Sequence, residues 1–301
     1  MKAIVIREYG GPEVLKWEDH ADPVVGAGEV LLQVAATSVN PFEFKVRSGV
    51  MKDVFPVQFP AILGTDVSGT VLKLGPGAEG FALGDKVFAM ASHTYAELCT
   101  VKSTNLAKIP AGLDILEAAA LPVVTTTGHQ LISLGVKPER GQTVLVLGAA
   151  GSVGRSAVFA AKALGAVVIA GVRKKQFQEA VSLAADQVIA TDDSDGIKKM
   201  TPVDGIADTV GGKTAETFIA KVKARGVFAS VLGAPGNAKD YPSVTVVPIY
   251  AQPDAKALVS MAQAIRDRKL VIPIGMKLPL KDAAKGHAAA EKGVGKVLLV
   301  S

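Results

Sequence analysis

The chain has 301 residues and a formal net charge of +5 that is scattered along its length, which suits an anionic small ligand and argues against nucleic acid. One cysteine, Cys99, excludes an internal disulfide and a multi-cysteine zinc site within the chain. Hydrophobic residues make up 49% but aromatics only 5%, so Ala, Val and Leu must fill the core of one large domain or two. No apolar run suits a signal peptide or a membrane span, and a soluble cytoplasmic protein is expected.

Residues 1 to about 120 read as strands and turns. Lys2–Ile6, Val30–Ala35, Val67–Leu74, Asp85–Phe88 and Leu98–Val101 are strand-like, punctuated by GGPEV, LGPGAEG and LGDKV. No long helix pattern appears there. The character changes at Asp114, a candidate N-cap for a helix over Leu113–Leu121; Thr125–Leu134 reads as another helix. Strand and helix alternate from Thr143. The strands are Val144–Leu147, Val167–Ala170, Gln187–Ile189, Gly205–Asp208 and Val227–Leu232. The helices between them are Ser152–Leu164, Lys174–Ala184 and Thr214–Lys223. That order implies right-handed crossovers and a parallel sheet. A helix over Asp254–Arg268, a short Ile272–Ile274 strand, a helix near Lys281–Glu291 and an apolar run Lys296–Val300 close the chain.

The stretch VLVLGAAGSVG, Val144–Gly154, carries the chemistry. A buried strand runs into small residues and then a helix, the layout that presents backbone N–H groups to a pyrophosphate. In register with G-x-G-x-x-G the positions are Ala149, Gly151 and Gly154, so the first glycine is replaced. A bare strand–turn–helix is the competing reading. Two later strands, in DGIADTVGG and GVFASVLGA, also end in glycine turns at the carboxyl edge, where open parallel sheets bind ligands. The second strand ends in Arg173, Lys174 and Lys175, with no acid before Glu179. Cations there favour the 2′-phosphate of NADP over the ribose hydroxyls of NAD. A solvated basic helix start is the plainer alternative, but cations at a helix N-terminus oppose the macrodipole, and an anionic ligand would relieve that.

These motifs, in order, resemble the zinc-independent branch of the medium-chain dehydrogenase/reductases, the quinone oxidoreductase family that includes zeta-crystallin. The likeness runs from MKAIVIREYGGPEVL through NPFEFKVRSG, GTDVSGTV, GDKVF, TYAE, KPERGQTVLVLGAAGSVG and DTVGG to GKVLLV. It implies an α/β fold: a GroES-like β-rich catalytic domain over 1–122, completed by about 269–301. A Rossmann doubly wound parallel-sheet domain over 123–268 binds NADPH, with the active site in the cleft. It places Asn40 near nicotinamide and substrate, Thr127 at the nicotinamide or phosphates, and Ala150, Gly151, Ser152, Val153 and Gly154 on the pyrophosphate. Arg173 and Lys174 would hold the 2′-phosphate, with Gly211, Leu232, Gly233 and Ala234 bordering the cofactor. Asn40 equally reads as a turn-former before Pro41. Asp66 reads as a remnant of a metal site or, preferably, as an acceptor for local backbone amides.

No metal is expected. SVNPFEF lacks a cysteine, Thr65-Asp66 stands where zinc-dependent relatives have His-Glu, and His20, His93, His129 and His287 show no ligand spacing and read as surface or packing residues. Lys45 and Arg47 read as cleft-lining or exposed charges, and Cys99 as a small core residue. Some relatives carry a pocket tyrosine near Met51. This chain has none, which leaves Tyr95 as the nearest candidate, and their NPxD motif here is Asn40-Pro41-Phe42-Glu43. The expected function is metal-free hydride transfer from NADPH to a quinone, or to the activated C=C of an alkenal or enone. A nucleotide-dependent RNA- or partner-binding protein is the third reading. The resemblance implies a homodimer, with Asp240–Tyr250 as a candidate edge, and no membrane partner.

Overall fold

The computed structural model describes residues 1–301. Two compact units emerge: Met1–Val123 together with Pro253–Ser301, and Val124–Gln252. In chain order the first contains β1 (Lys2–Ile6), β2 (Lys16–Asp19), β3 (Glu29–Val39), α1 (Pro41–Arg47), β4 (Ala61–Ile62), β5 (Asp66–Leu74), β6 (Lys86–Met90), β7 (Leu98–Lys102), β8 (Leu106–Lys108) and α2 (Ile115–Ala118). Helix α3 (Pro122–Gln130) leads into the second unit and widens into a π turn over Leu131–Val136. There follow β9 (Thr143–Leu147), α4 (Ser152–Ala163), β10 (Val167–Val172), α5 (Phe177–Ala180), β11 (Gln187–Ala190), α6 (Ser194–Lys199), β12 (Val203–Asp208), α7 (Gly212–Ile219), β13 (Val222–Ser230) and β14 (Thr245–Pro248). The chain returns to the first unit with α8 (Ala255–Arg266), β15 (Ile274–Pro279), α9 (Ala283–Glu291) and β16 (Lys296–Val300).

In the first unit seven strands form one sheet, in the order β15-β16-β3-β5-β6-β8 with β7 also on β3. Alternate residues of β3 point inward, so Val30, Leu32 and Val34 pack with Val67, Val71, Val87, Cys99 and Val101. Strands β2, β1 and β4 form a second, antiparallel sheet. Asn40 does not form a simple turn. It is the extended N-cap of α1 with Pro41 at the first helical position, where a missing N–H costs nothing. Asp114 caps α2 as expected, accepting from Leu116 N at 2.9 Å and Glu117 N at 3.1 Å.

The boundary between the units departs from the expected 268/269. Helix α8, read from sequence as part of the Rossmann domain, packs on β8 of the first unit, and the return begins at Pro253. Amphipathic periodicity shows that a helix buries one face; it does not say which sheet covers that face.

The second unit is an all-parallel sheet in the order β11-β10-β9-β12-β13-β14. Relabelled within the unit this is 3-2-1-4-5-6, the doubly wound dinucleotide-binding order. Strand β9 is paired on both sides and covered on both faces, so Val144–Leu147 are fully buried, which accounts for a continuous apolar run rather than an alternating one. Two helices are shorter than the sequence suggests. Lys174–Ala184 breaks into 3-10 turns around α5, and α7 stops at Ile219, where Val222 begins to pair with Val203.

Candidate functional site

The turn after β9 is built to leave space. Gly148 has φ of +76°, and a side chain there would meet Thr209 Oγ1 at 2.3 Å. A Cβ on Gly154 would strike Gly148 O at 2.2 Å and Ala149 Cα at 2.7 Å, so this glycine lets α4 lie against the turn. Gly151 is different. Its φ of −75° suits any residue, and an added Cβ would meet only Gly148 O, at 3.3 Å. The backbone conformation does not demand a glycine here and the crowding is far milder than at Gly148 or Gly154, so its lack of a side chain chiefly keeps the mouth of the turn open. Gly151 also N-caps α4 without a side chain, so no hydroxyl or carboxylate covers the first-turn N–H groups. The first intrahelical bond is Arg155 N to Gly151 O at 2.8 Å, leaving Ser152, Val153 and Gly154 ahead of it. That is an anion cradle by geometry and by dipole.

The ends of β9, β12 and β13 are tied into one edge. Thr209 Oγ1 donates to Leu147 O at 2.7 Å. The buried Asp208 carboxylate accepts from Val210 N and Gly211 N at 2.9 and 3.0 Å on one oxygen and from Ser230 Oγ at 2.7 Å on the other. Ser230 Oγ in turn accepts from Leu232 N at 3.0 Å. Gly211 (φ +70°) and Gly233 (φ +88°) both need the left-handed region, and a Cβ on Gly211 would meet Leu232 Cδ1 at 2.8 Å. Gly211, Leu232, Gly233 and Ala234 thus stand on the same edge as Ala150–Gly154. Thr127 lies in α3, largely buried, beside Thr126, whose buried hydroxyl has no protein partner.

At the end of β10, Arg173 is exposed and its Nε donates to Gln176 Oε1 at 3.3 Å. Lys174 is partly engaged: its N–H donates to Asp192 Oδ1 at 2.8 Å, and its ammonium lies 3.8 Å from Asp193. No long helix starts here, so the macrodipole does not contribute to the case for an anion; Arg173 carries it. Glu179 is paired with an arginine from α4. Arg155, 7% exposed, donates Nε to Ala150 O at 2.9 Å and grips Glu179 with Nη2. One guanidinium therefore pairs with Glu179 and pins the turn.

The first unit holds a second polar cluster, on three adjacent strands. Lys296 opens β16, Asn40 follows β3 and Asp66 opens β5. All three are buried. Lys296 Nζ donates to Asp66 Oδ2 at 2.9 Å and to Asn40 Oδ1 at 2.5 Å. Asp66 also accepts from Asn40 Nδ2 at 2.8 Å, Val123 N at 2.7 Å and Ser38 Oγ. Asp66 is thus a hub for side chains, and its single backbone partner is not local, contrary to the preferred expectation. Glu43 Oε2 accepts from Asn40 N at 2.8 Å, the reciprocal half of a capping box, while Oε1 accepts from Thr65 N and Asn40 Nδ2, each at 3.1 Å, and from Thr65 Oγ1. Burial, reinforced by the Asp66 charge and opposed by the Thr65 and Asn40 bonds, raises the Glu43 pKa.

This cluster corrects several expectations. Both Asn40 amide protons are engaged within the cluster, and Oδ1 keeps at most one spare lone pair, so the amide is held in one orientation. Tyr95 is fully buried in the core, its hydroxyl 3.0 Å from His287 Nε2 and 3.4 Å from Ser38 O, and burial holds its pKa well above the usual range, so it is a packing residue rather than an exposed proton donor. Arg47 is neither exposed nor a cleft residue: it is 3% exposed, paired with Glu291 at 2.6 Å and bonded to Gly10 O at 3.1 Å. Lys296 and Arg155 carry no role in the sequence reading, and Glu43 enters it only as a departure from a motif. A lone Lys before an apolar strand, an N-x-x-E at a helix start and an Arg behind a glycine turn were the available signals.

Zinc does not fit the donors present. No three His, Cys, Asp or Glu side chains converge as ligands, and the Asp66 oxygens are filled by four donors. Cys99 is an inert core residue with its thiol pushed up to about 12 by burial.

Residues 26–133 match the family model of the alcohol dehydrogenase GroES-like domain, and residues 152–253 match that described as zinc-binding dehydrogenase. The chain is 29% identical over 322 residues to the chloroplast envelope quinone oxidoreductase homolog of Arabidopsis thaliana, covering 99% of this chain and 98% of that one. Among solved structures, the quinone oxidoreductase of Coxiella burnetii superposes with a TM-score of 0.87 at 28% identity, over 100% of this chain and 99% of the other. Escherichia coli quinone oxidoreductase complexed with NADPH gives 0.87 at 26% identity over the whole of both chains. A GroES-like unit, a parallel sheet in dinucleotide-binding order and similarity along the full length agree: this chain is an oxidoreductase of the medium-chain dehydrogenase/reductase family.

Proposed function

We propose that the chain is an NADPH-dependent reductase of quinones, with 2-alkenals and other enones as the second acceptor class. The observation that carries the reading is the uncapped start of α4 at Gly151, whose first-turn N–H groups are met by no side chain of the chain itself. The N–H groups of Ser152, Val153 and Gly154 would hold the pyrophosphate. Arg173 would take the 2′-phosphate, its guanidinium matching a phosphate in two parallel bonds. When bound, the reduced nicotinamide supplies a hydride. The residues bind, orient and exclude water; conjugation in the acceptor spreads the arriving charge onto oxygen, so that no Lewis acid is required. The NADPH complex of the E. coli relative supports the cofactor, and the names of the relatives support the quinone. A homodimer is also proposed, because β14, within 240–250, is the free edge of its sheet.

Two measurements test this. Chelator-treated protein should consume NADPH in the presence of 1,4-benzoquinone, 9,10-phenanthrenequinone or acrolein, and the ranking of initial rates separates the acceptor classes; no oxidation with any of them refutes the reading. Arg173→Ala should cut the preference for NADPH over NADH by roughly tenfold or more. Lys174→Ala should do less, because the Asp193 carboxylate already faces that ammonium. An unchanged Kd ratio in both variants removes the assignment to NADP.

A further inference from the structure

The buried cluster in the first unit contains two carboxylates, Asp66 and Glu43, and one cation. Burying charges is costly unless each finds a partner, so a cluster of this kind is kept for what it fixes in place. Lys296 comes from the far end of the chain, 230 residues from Asp66 and 256 from Asn40, yet opens β16 beside the ends of β3 and β5. Its ammonium holds one oxygen of Asp66 and the only amide oxygen of Asn40. The two contacts decide which way the Asn40 amide faces: Oδ1 on the ammonium, Nδ2 on Asp66 and Glu43. They also complete the donor set that closes Asp66 to a metal.

We propose that Lys296 is the resident cation of this site: its ammonium takes the place of a metal ion, neutralising Asp66 and locking the Asn40 amide in one orientation. It is a positioning residue, acting through Asn40 and Asp66. The third ammonium proton is left over after these two bonds, as a group with three donors requires.

Lys296→Ala leaves the carboxylate and the amide around a space shaped for an alkylammonium. The variant should melt roughly 10 °C below wild type, as expected for a stranded buried charge. n-Propylammonium at tens of millimolar should raise its Tm, while equal concentrations of sodium chloride, or the amine added to wild type, should not. The same amine should restore NADPH oxidation, which should otherwise fall by about 100-fold in kcat with the Kd for NADPH unchanged. The rate arm rests on the reductase reading above; the melting arm does not. A wild type without turnover would therefore end that reading while the amine response still decides this proposal. Should Lys296→Ala not fold, the charge-neutral pair Lys296→Met with Asp66→Asn, which strands no charge, replaces it. Loss of kcat in that pair with NADPH binding retained supports the resident cation. Wild-type kcat in the pair, or a Lys296→Ala variant indifferent to the amine in both Tm and rate, overturns it.

Discussion

Gly151→Asp should keep the fold and lose the dinucleotide, while Gly154→Ala, three residues on, should do nearly the reverse. Aspartate at position 151 inherits a φ of −75° and meets only Gly148 O, at 3.3 Å from its Cβ. As an N-cap it is better than glycine by a few tenths of a kcal/mol and suits the helix dipole. The same carboxylate would occupy the first-turn N–H groups and repel a pyrophosphate, so NADPH affinity should fall by about 100-fold or more. Gly154→Ala instead drives a Cβ into backbone at 2.2 Å and 2.7 Å, forcing α4 away from the turn. The expected cost is about 3 kcal/mol, or a Tm lower by roughly 6–12 °C. Melting curves and NADPH titrations of both variants check the pair. Equal loss of stability would mean that Gly151 is structural, and intact NADPH binding in Gly151→Asp would take the cradle out of the account.

The second large effect is expected on acidification. His287 is fully buried at the centre of a chain of bonds. Arg47 Nη1, which only donates, faces Nδ1 at 3.1 Å, so Nε2 carries the proton and donates to the Tyr95 hydroxyl, which in turn faces Ser38 O. Burial first, and the Arg47 charge second, push the imidazole down to about 3 from 6.5. The folded state therefore stays neutral where the unfolded chain takes up a proton. Stability is complete above about pH 6.5 and is lost as pH falls toward 3, by about 2 kcal/mol at pH 5 and about 4 kcal/mol at pH 3. Glu43 works with the opposite sign, since its raised pKa favours the folded state in acid, and the lowered Asp85, Asp186 and Asp204 matter only below their own ordinary range near pH 4. His287→Gln should be less stable than wild type at pH 7, by about 1–3 kcal/mol for the disturbed bonds, yet lose far less between pH 7 and pH 5. Urea midpoints at the two pH values decide it; parallel losses in both proteins would place the acid sensitivity elsewhere.

What the sequence made legible was local. The apolar run Val144–Leu147, the small residues after it and the Asp114 cap each write their conformation within a few positions, and the fold class followed. What stayed hidden was set by distant partners. Glu43 and Arg47 look like solvated charges on a short segment until β16 and α9 arrive from residues 283–300 to bury them. Lys296 reads as the polar lip of a strand because Asp66, 230 residues away, gives no local sign of needing a cation. Tyr95 drew notice as an aromatic hydroxyl, but β-sheet burial and His287 had already claimed it. Helix α8 was assigned to the wrong unit for the same reason: its own residues specify a face, and β8 specifies the neighbour.

In the proposed reaction a phosphorylated, reduced nicotinamide seated at Gly151 passes its hydride to a conjugated acceptor without help from a metal. Single-turnover mixing of chelator-treated protein, preloaded with one equivalent of NADPH, against 9,10-phenanthrenequinone tests it most directly. The expected result is loss of the reduced-nicotinamide absorbance at one equivalent, unaffected by added zinc, and a weaker response when NADH replaces NADPH. Absorbance that persists without metal and falls only when zinc is restored would contradict it.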